Sequence, residues 1–437
     1  MKHLLTLGLT LAFAAPVAAA PYCPQLLDEA QLESRYKRLA PIFSDQQTGW
    51  IFTSDQMNVD YTMTSEEEML MAQIAQQIAA HDTKLAIMVA PPRPIIAGQA
   101  IVDETLGGAG EFDVAAAQAS FAALIEQLRA TGAIVPNLMD VALAHEGNAP
   151  YYFQRDTHWT STGAAVSAIA MAEEAGISVS YAAADIAQLD IFEERGSLSN
   201  IVEATCGSRD AVEAMDVLDY SSVQADTGLG LLDDTDAQAS VTLLGTSFSN
   251  RYQRDEYQVA DALAASFGTS IENLSVSGGG MIGPIEEFAL SGGLQTGAQD
   301  LIIWEFPYTE GVTTSALRQL LGALQANAGT TIADHALTVV DNEVQVELAS
   351  SEQGADVLHV VLDTVEAQQI YVDLTFPDGK VKTIKMRRKE SMQQFGQHAD
   401  WFAHIGDYSY GDAVSVSLRI DAKANATTAN LTFMAAL

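Results

Sequence analysis

Two kinds of hydrophobic pattern alternate along the chain between residues 64 and 326. Apolar positions repeat with helical spacing in some segments, whereas others are short continuous apolar runs, typical of strands buried on both faces. The helices predicted in this way are 64–80, 112–130, 164–174, 257–267, 285–290 and 315–326, and the strands are 85–90, 134–139, 241–244, 271–276 and 301–306. This alternation predicts a parallel sheet covered by helices on both faces, the architecture of an α/β domain.

The hydrophobic pattern changes in the last hundred residues. Apolar and polar residues alternate with period two, as in 344–348, and 377–379 (Pro-Asp-Gly) has the composition of a tight turn. We therefore predict an all-β sandwich at the C-terminus. Residues 176–240 fit neither pattern and are expected to form an insertion or a cover over the sheet. The predicted domains are 21–330, α/β, and 331–437, all-β.

The first twenty residues predict export. Lys2 and His3 precede a short apolar run, and small residues follow it, which is typical of a secretory signal peptide over residues 1–20. An exported chain with only two cysteines, Cys23 and Cys206, is expected to form one disulfide, with two unpaired buried thiols as the alternative. The chain is therefore expected to be exported, with an uncleaved N-terminal anchor as the alternative.

The formal net charge of the chain is −36 at pH 7. Acidic residues outnumber basic ones heavily from residue 24 to about 330, which argues against nucleic acid or an anionic membrane as a partner of that region. Such a surface fits salty surroundings, where mobile ions screen the repulsion between carboxylates. The charge therefore describes the environment of the protein more than its chemistry.

Three side chains have the types and positions expected of a nucleophilic acyl-transfer site. Asp156 and His158 are two residues apart, so in an extended segment both point to the same side. Ser247 follows the apolar run 241–244 and precedes a helical pattern, which is where open α/β sheets build their sites. A serine hydroxyl needs an imidazole to take its proton, and the imidazole needs a carboxylate to fix its tautomer. We predict Ser247, His158 and Asp156 in these three roles.

Each assignment has a plainer alternative. A histidine near an aspartate is often structural, and a serine before a helix is often only an N-cap, a role for which Ser249 competes. For the oxyanion we expect the amide of Ser247 and one from the glycine turn 278–280, with Gly279 as candidate. Arg251 and Tyr252 are candidate substrate contacts, or else surface residues at a helix start. No metal or cofactor is expected, since the ligand spacing of a zinc site is missing.

A basic segment stands out near the C-terminus of this acidic chain. Its predicted glycan-binding cations are Lys380, Lys382, Lys385, Arg387 and Arg388, and the aromatic residues Trp401, Phe402, Tyr408 and Tyr410 follow. We expect the cations to contact a carboxylate polymer, and aromatic rings such as that of Trp401 to stack on its sugars. The alternative is a solvated edge strand whose lysines prevent pairing with other strands.

Three motifs carry a resemblance to a known family. Segments 156–160 (Asp-Thr-His-Trp-Thr), 245–249 (Gly-Thr-Ser-Phe-Ser) and 302–307 (Ile-Ile-Trp-Glu-Phe-Pro) resemble the alginate O-acetyltransferases of the AlgX/AlgJ type. In that family an SGNH-hydrolase-like domain precedes a β-sandwich carbohydrate-binding module, and the Asp-x-His motif precedes the serine, reversing the order of ordinary SGNH hydrolases. The resemblance covers about residues 24–437, and the Cys23–Cys206 pairing resembles the family's arrangement.

The resemblance implies a periplasmic enzyme of exopolysaccharide biosynthesis. Ser247 would take an acetyl group from a donor or donor protein, and a hydroxyl of an alginate-like polyuronate would accept it, with His158 moving the proton in both steps. A polysaccharide export complex is the expected setting. Two other classes stay open: an acetylesterase that uses the same residues for hydrolysis, and a non-catalytic glycan-binding scaffold.

Overall fold

The computed structural model describes residues 22–46, 48–98, 112–145, 149–223, 240–252, 254–295, 297–326, 329–396, 398–406 and 413–436. The predicted signal peptide lies outside these residues, as do Tyr408 and Tyr410. Within these ranges, none of the helices combines the length and the apolar character needed to span a membrane.

Helices and strands alternate in the first three quarters of the chain, and strands dominate the rest. The α-helices are α1 (Ser65–Ala79), α2 (Arg93–Ala97), α3 (Val114–Ala130), α4 (Leu138–Ala144), α5 (Ser161–Glu174), α6 (Ser197–Cys206), α7 (Val259–Phe267), α8 (Gly283–Leu290) and α9 (Thr314–Leu324). The strands are β1 (Phe43–Ser44), β2 (Ile51–Phe52), β3 (Lys84–Ala90), β4 (Ala187–Glu194), β5 (Glu213–Asp219), β6 (Val241–Leu244), β7 (Ile271–Asn273), β8 (Leu301–Pro307), β9 (Gly329–Thr338), β10 (Glu343–Glu347), β11 (Val357–Leu362), β12 (Gln369–Thr375), β13 (Val381–Arg387), β14 (Asp400–His404), β15 (Ser415–Ile420) and β16 (Thr428–Ala436).

A parallel sheet in the order β3-β8-β6-β7 organises the α/β region. The carboxyl ends of β6 and β8 lie side by side, with Leu244 opposite Trp304. Successive residues of a strand face opposite sides, so Leu85 and Ile87 pack toward α1, α3 and α9, whereas Ala86 packs toward α5 and α7. Both faces are therefore covered, and the predicted α/β class is confirmed.

The predicted strand at 134–139 is wrong in its second half. Ile134 makes a single parallel bridge to Ala86 beside β3. Helix α4 then begins at Leu138, because the Asn137 side chain accepts a hydrogen bond from the Asp140 amide at 3.4 Å and caps the helix. A short apolar run fits a strand or a buried helix equally well, and here the cap decided between them.

A disulfide joins the N-terminal segment to the region predicted as an insertion. In its described part this region contains the antiparallel pair β4–β5 and helix α6. Leu198 and Ile201 of α6 pack on Leu26 of the N-terminal segment. Cys23 and Cys206, at the last residue of α6, form the predicted disulfide with a Cα–Cα distance of 5.7 Å.

The C-terminal strands form the predicted β-sandwich. Its two antiparallel sheets have the orders β10-β15-β12-β13 and β14-β11-β16-β9, and they enclose one hydrophobic core. Helix α9 fixes the sandwich to the α/β region: Arg318 donates to His404 O at 3.0 Å and to Glu66 Oε1 at 2.7 Å. A Cβ on Gly322 would lie 2.6 Å from Ala403 N, so glycine is required for this close approach.

Candidate active site

Asp156 and His158 lie at the tip of a tight hairpin. Tyr152 and Trp159 pair across it in an antiparallel bridge, and the indole N–H of Trp159 donates to Phe248 O at 3.0 Å. At the tip, the backbone N–H of His158 donates to Asp156 Oδ1 at 3.0 Å, the hydrogen bond of an Asx turn. The carboxylate and the imidazole therefore meet through a turn, and not through the extended segment that the spacing suggested.

Ser247 lies in a turn just beyond the carboxyl end of β6. The next described helix, α7, begins only at Val259, so Ser247 is not the N-cap of a helix. The competing serine, Ser249, is 1 % exposed, and its hydroxyl donates to Glu305 Oε2 at 3.0 Å. Ser249 is thus engaged in the interior, whereas Ser247 is half-buried at the surface of a cavity.

The hairpin and the Ser247 turn meet at the imidazole ring. His158 Nε2 lies 2.7 Å from Ser247 Oγ, and Nδ1 of the same ring hydrogen-bonds to Asp156 Oδ1. The rings of Phe248 and Tyr257 flank the imidazole at centroid distances of 4.7 and 5.3 Å. The three predicted side chains thus touch in the order carboxylate, imidazole, hydroxyl, and packing holds the ring in place.

Asp156 is fully buried, and its charge is compensated on the side away from His158. Arg251 Nη2 lies 3.3 Å from Asp156 Oδ2, and the backbone N–H of Ser197, at the start of α6, donates to the same oxygen at 2.5 Å. Burial by itself raises the pKa of Asp156, but His158, Arg251 and Ser197 outweigh it and hold the pKa well below the usual range of a carboxyl.

Burial also lowers the pKa of His158, although Asp156 acts in the opposite direction. The imidazole is therefore neutral at neutral pH while its aspartate is ionised. That is the state in which an imidazole can accept the proton of a serine hydroxyl.

Ser247 faces a cavity of about 340 Å³. One wall consists of Tyr36 and Leu39 from the N-terminal segment and Leu198 and Ile201 from α6, the two segments that the disulfide joins. The end of β8 with the residues after it, the glycine turn after β7 and polar residues of the segment 53–56 also line the cavity. The volume falls within the range of roughly 300–1,000 Å³ that is usual for small-molecule sites.

The predicted oxyanion donors have different positions. The amide of Ser247 has no hydrogen-bond partner among the described residues. Gly278 and Gly280 line the cavity, but the amide of Gly279 donates to Val276 O at 2.9 Å. The assignment of Gly279 as oxyanion donor is therefore wrong, since its amide is already used inside the turn.

The two predicted substrate contacts are not among the described residues that line this cavity. Arg251 is 9 % exposed, because its guanidinium lies against Asp156 and over the ring of Tyr252 at 4.3 Å. Tyr252 itself is exposed and adopts a positive φ of 50°. The prediction that Arg251 contacts substrate is wrong, since the side chain supports Asp156 from behind.

The predicted glycan-binding residues fall into different environments. Trp401 is fully buried in the core of the sandwich, so its ring cannot stack on a sugar and that prediction is wrong. Arg388 lies over this ring at 4.3 Å and forms an ion pair with Glu286 of α8 at 3.1 Å. Its guanidinium thus joins the sandwich to the α/β region, and it is not displayed for a ligand.

The other predicted cations lie along or beside β13. Lys385 and Arg387 are exposed on the outward face of this strand, whereas Lys382 has the inward orientation and is only half-exposed. Lys380 lies in the turn before the strand, in an ion pair with Asp378 at 2.9 Å. The basic segment is therefore not one continuous stripe.

Sequence reasoning missed an aromatic residue on the outward face of the same sheet. Tyr371 of β12 pairs with Lys385 on one side and with Arg419 on the other. The Lys385 ammonium lies 5.8 Å from the ring centroid of Tyr371, and the Arg419 guanidinium lies 4.6 Å from it. The period-two pattern of β12 carried this signal, because Tyr371 alternates with buried residues.

Glu305 was missed as well. It lies in β8, is fully buried, and accepts hydrogen bonds from the turn that carries Ser247. The signal in the sequence was a single acidic residue inside the apolar run 302–307. A buried charge of this kind usually has a specific partner.

Comparisons with known proteins bear on this site directly. The family described as "SGNH hydrolase-like domain, acetyltransferase AlgX" matches residues 46–308, which include both the Asp156–His158 hairpin and the Ser247 turn. The chain belongs to this acetyltransferase family. Within it, the SGNH hydrolase-like domain corresponds to the parallel sheet and its helices, and the β-sandwich follows the matched residues.

Individual relatives extend the comparison. The chain is 23 % identical over 403 residues to alginate biosynthesis protein AlgX of Pseudomonas fluorescens, which covers 86 % of this chain and 80 % of that protein. It is 25 % identical over 203 residues to a probable alginate O-acetylase AlgJ of Pseudomonas putida. That alignment covers 41 % of this chain and 48 % of the AlgJ protein. The solved structure of Pseudomonas aeruginosa AlgX superposes with a TM-score of 0.69 at 18 % identity, covering 95 % of this chain and 99 % of that one. The sandwich is therefore part of the shared fold.

Proposed function

We propose that this protein is a periplasmic O-acetyltransferase that acetylates hydroxyl groups of an alginate-like polyuronate, with Ser247 as the nucleophile. The observation that carries the proposal is the 2.7 Å distance between Ser247 Oγ and His158 Nε2 at the wall of a cavity. Membership of an acetyltransferase family supports the reaction class, and the names of the AlgX and AlgJ relatives support the acceptor. A disulfide is typical of an oxidising compartment and supports the periplasm.

The first half-reaction acetylates the enzyme. Ser247 Oγ attacks the carbonyl carbon of an acetyl donor while His158 Nε2 takes the hydroxyl proton, and the imidazolium then protonates the leaving group as the bond between acetyl and donor breaks. Asp156 keeps Nδ1 protonated and stabilises the imidazolium. The amide of Ser247, for which no partner is found among the described residues, would donate to the developing oxyanion.

The second half-reaction runs the same steps in the other direction. A sugar hydroxyl gives its proton to His158 and attacks the acetyl carbon, and Ser247 Oγ leaves and recovers its proton. Water competes with the sugar hydroxyl, so transfer requires that bound polymer keeps water out of the cavity. The apolar wall formed by Leu39, Leu198 and Ile201 favours this exclusion.

We propose that the polymer also binds to the outward face of the sheet β10-β15-β12-β13. Tyr371 and the neighbouring Lys385 combine a ring for stacking on sugars with charge for uronate carboxylates, whereas Arg419 on the other side of the ring is already paired with Asp373 at 2.6 Å. Because Trp401 is buried, we assign carbohydrate binding by the sandwich to this outward face instead. Arg387 and Lys380 would extend it.

The experiment offers the enzyme a chromogenic acetyl ester and polymannuronate oligomers, and follows the oligomers by mass spectrometry. We expect mass gains of one acetyl group that disappear in Ser247→Ala. The matched control is Ser266→Ala, which removes a buried hydroxyl on α7 that hydrogen-bonds to Tyr181 at 3.1 Å, away from the cavity. This control should retain acetyl transfer.

The other outcomes point to the competing functions. Ester hydrolysis that depends on Ser247 without any gain in mass on the oligomers would contradict transfer to polymannuronate and favour an esterase. Neutral mannan oligomers are tested in parallel. Acetyl transfer to mannan but not to polymannuronate would show a different acceptor, whereas transfer to neither would show that these glycans are not acetylated. The absence of both ester hydrolysis and acetyl transfer with every acceptor would contradict the proposed enzymatic activity and favour a glycan-binding scaffold.

A further inference from the structure

A second buried carboxylate, that of Glu305, contacts the turn that carries Ser247. Glu305 Oε2 accepts hydrogen bonds from the Thr246 amide at 2.7 Å and from the Ser249 hydroxyl at 3.0 Å, and Oε1 accepts from the Thr246 hydroxyl at 3.1 Å. One carboxylate therefore holds the residue before Ser247 and the residue two positions after it. Hydrogen bonds to Glu305 therefore hold the turn in place on both sides of Ser247.

The fit between Glu305 and this turn is tight. A Cβ on Gly245 would lie 2.5 Å from Glu305 Oε2 and 3.0 Å from Glu305 Cβ, so only glycine lets the chain pass over the carboxylate. The amide of Phe248 donates to Thr246 Oγ1 at 3.3 Å, which links the hydroxyl held by Glu305 to the residue after Ser247. A change at the carboxylate is thus transmitted to the backbone around the nucleophile.

Hydrogen bonds from Thr246 and Ser249 stabilise the charge of Glu305. In the described part of the chain no lysine or arginine forms an ion pair with it. The titratable groups around it are Glu310, which follows the same strand, Tyr152 of the hairpin and, beyond Ser247, His158. Burial raises the pKa of Glu305 to about 7, and the hydrogen bonds from Thr246 and Ser249 oppose this increase.

We propose that Glu305 is a positioning residue whose ionised carboxylate holds Ser247 Oγ in line with His158, so that its protonation slows acylation of Ser247. This inference rests on the proposed role of Ser247 as the nucleophile. An ionised carboxylate accepts all three hydrogen bonds at once, whereas a protonated one must use one oxygen as a donor. The Thr246 amide cannot reverse its direction, so protonation falls on Oε1. Thr246 Oγ1, which lies 3.1 Å from Oε1 and 3.2 Å from Oε2, must then accept from Oε1 and can donate only to Oε2.

Glutamine reproduces the protonated state in a stable form. Its amide oxygen can accept from the Thr246 N–H, and its NH₂ group must donate where Oε1 accepted. Glu305→Gln therefore removes the ionisation and keeps the shape. Hydrogen bonds to a charged group are stronger than neutral ones, and we expect this difference to amount to about tenfold in the reactivity of Ser247.

The test measures the rate at which phenylmethylsulfonyl fluoride labels Ser247, by mass spectrometry, from about pH 5.5 to about pH 8.5. In this reaction the bond between Oγ and sulfur forms, the sulfur–fluorine bond breaks, fluoride leaves, and His158 takes the hydroxyl proton. We compare the full-length chain with Glu305→Gln. The matched control is Glu286→Gln, a buried carboxylate of α8 that is paired with Arg388 instead.

We expect the wild-type labelling rate to rise about tenfold through pH 7, and the Glu305→Gln rate to stay near the low-pH value of the wild type. Glu286→Gln should follow the wild type. A Glu305→Gln profile that retains the rise through pH 7, at any absolute rate, would overturn the inference. If Ser247 of the wild type is not labelled, both the inference about Glu305 and the proposed role of Ser247 as the nucleophile are overturned. If Ser247 is labelled but no glycan is acetylated, only the proposed function is overturned.

A second variant keeps the inference testable if Glu305→Gln does not fold. Ser249→Ala removes one hydrogen bond that stabilises the ionised carboxylate, so the pKa of Glu305 must increase. The rise in the labelling rate should then move to higher pH in this variant. A rise that stays at its wild-type position would show that Glu305 does not control the reactivity of Ser247.

Discussion

Replacing Glu305 by glutamine should stabilise the protein at alkaline pH while it slows the reaction. The pKa of Glu305 is raised by burial from 4.5 to about 7, so between these values the folded state binds more protons than the unfolded state. The contribution of this group is fully present below about pH 4.5 and is lost as the pH rises through 7. At 1.36 kcal/mol per pH unit, the loss amounts to about 3 kcal/mol of unfolding free energy at pH 8.

Urea unfolding of the wild type and Glu305→Gln, at intervals between about pH 5 and pH 8, measures this difference. All other titrating groups are shared, so subtracting the two curves isolates the contribution of Glu305. We expect equal free energies of unfolding near pH 5 and a variant that is more stable by up to about 3 kcal/mol at pH 8. A difference that does not change with pH would refute the reasoning, because the carboxyl would then not titrate in this range.

Three further predictions concern other parts of the structure. Asp156→Asn should lower the rate of acetyl transfer by about 10⁴, because the imidazole loses its correct tautomer, and should also lower the thermal unfolding temperature, because Arg251 loses its ionised partner; a loss of rate below tenfold would contradict the role of Asp156. Replacing Cys23 and Cys206 together by serine should lower the free energy of unfolding in urea by up to about 5 kcal/mol, since the disulfide spans 183 residues, and a change below about 1 kcal/mol would contradict the loop-entropy estimate. Tyr371→Ala and Lys385→Ala should each weaken binding of polymannuronate about tenfold by calorimetry, with only the lysine variant reducing the salt dependence, and unchanged affinity would exclude this face.

The sequence was sufficient for those features whose signal is local. Runs of buried residues gave the parallel strands, period-two alternation gave the sandwich, and the Asp156–His158 spacing and Ser247 after β6 gave the candidate site. Contacts between side chains that are distant in the sequence could not be predicted. Arg251 follows Ser247 by four residues and was therefore predicted to contact substrate, but its guanidinium lies against Asp156, 95 residues earlier.

The error at Trp401 has a different origin. Trp401 and Ala403 share one face of β14 and pack in the core, whereas Phe402 between them packs toward the α/β region. Both faces of this strand are covered, so neither period-two alternation nor aromatic character could indicate an exposed ring. A strand at the junction of two hydrophobic cores has the same pattern as a central strand of a parallel sheet.

Two buried carboxylates thus lie close to Ser247: Asp156 contacts His158, and Glu305 contacts the turn that carries Ser247. The groups that stabilise their charges are different. Asp156 has Arg251, the Ser197 amide and His158 around it, so it stays ionised well below neutral pH. Among the described residues Glu305 has only hydrogen-bond donors as partners, and burial raises its pKa to about 7. Burial also lowers the pKa of His158, the base that accepts the proton of Ser247 in the proposed reaction. The Glu305→Gln comparison therefore assigns the rise in Ser247 reactivity through neutral pH: a rise that disappears in this variant reports the ionisation of Glu305, whereas a rise that persists reports that of the base, as is usual for a serine activated by histidine.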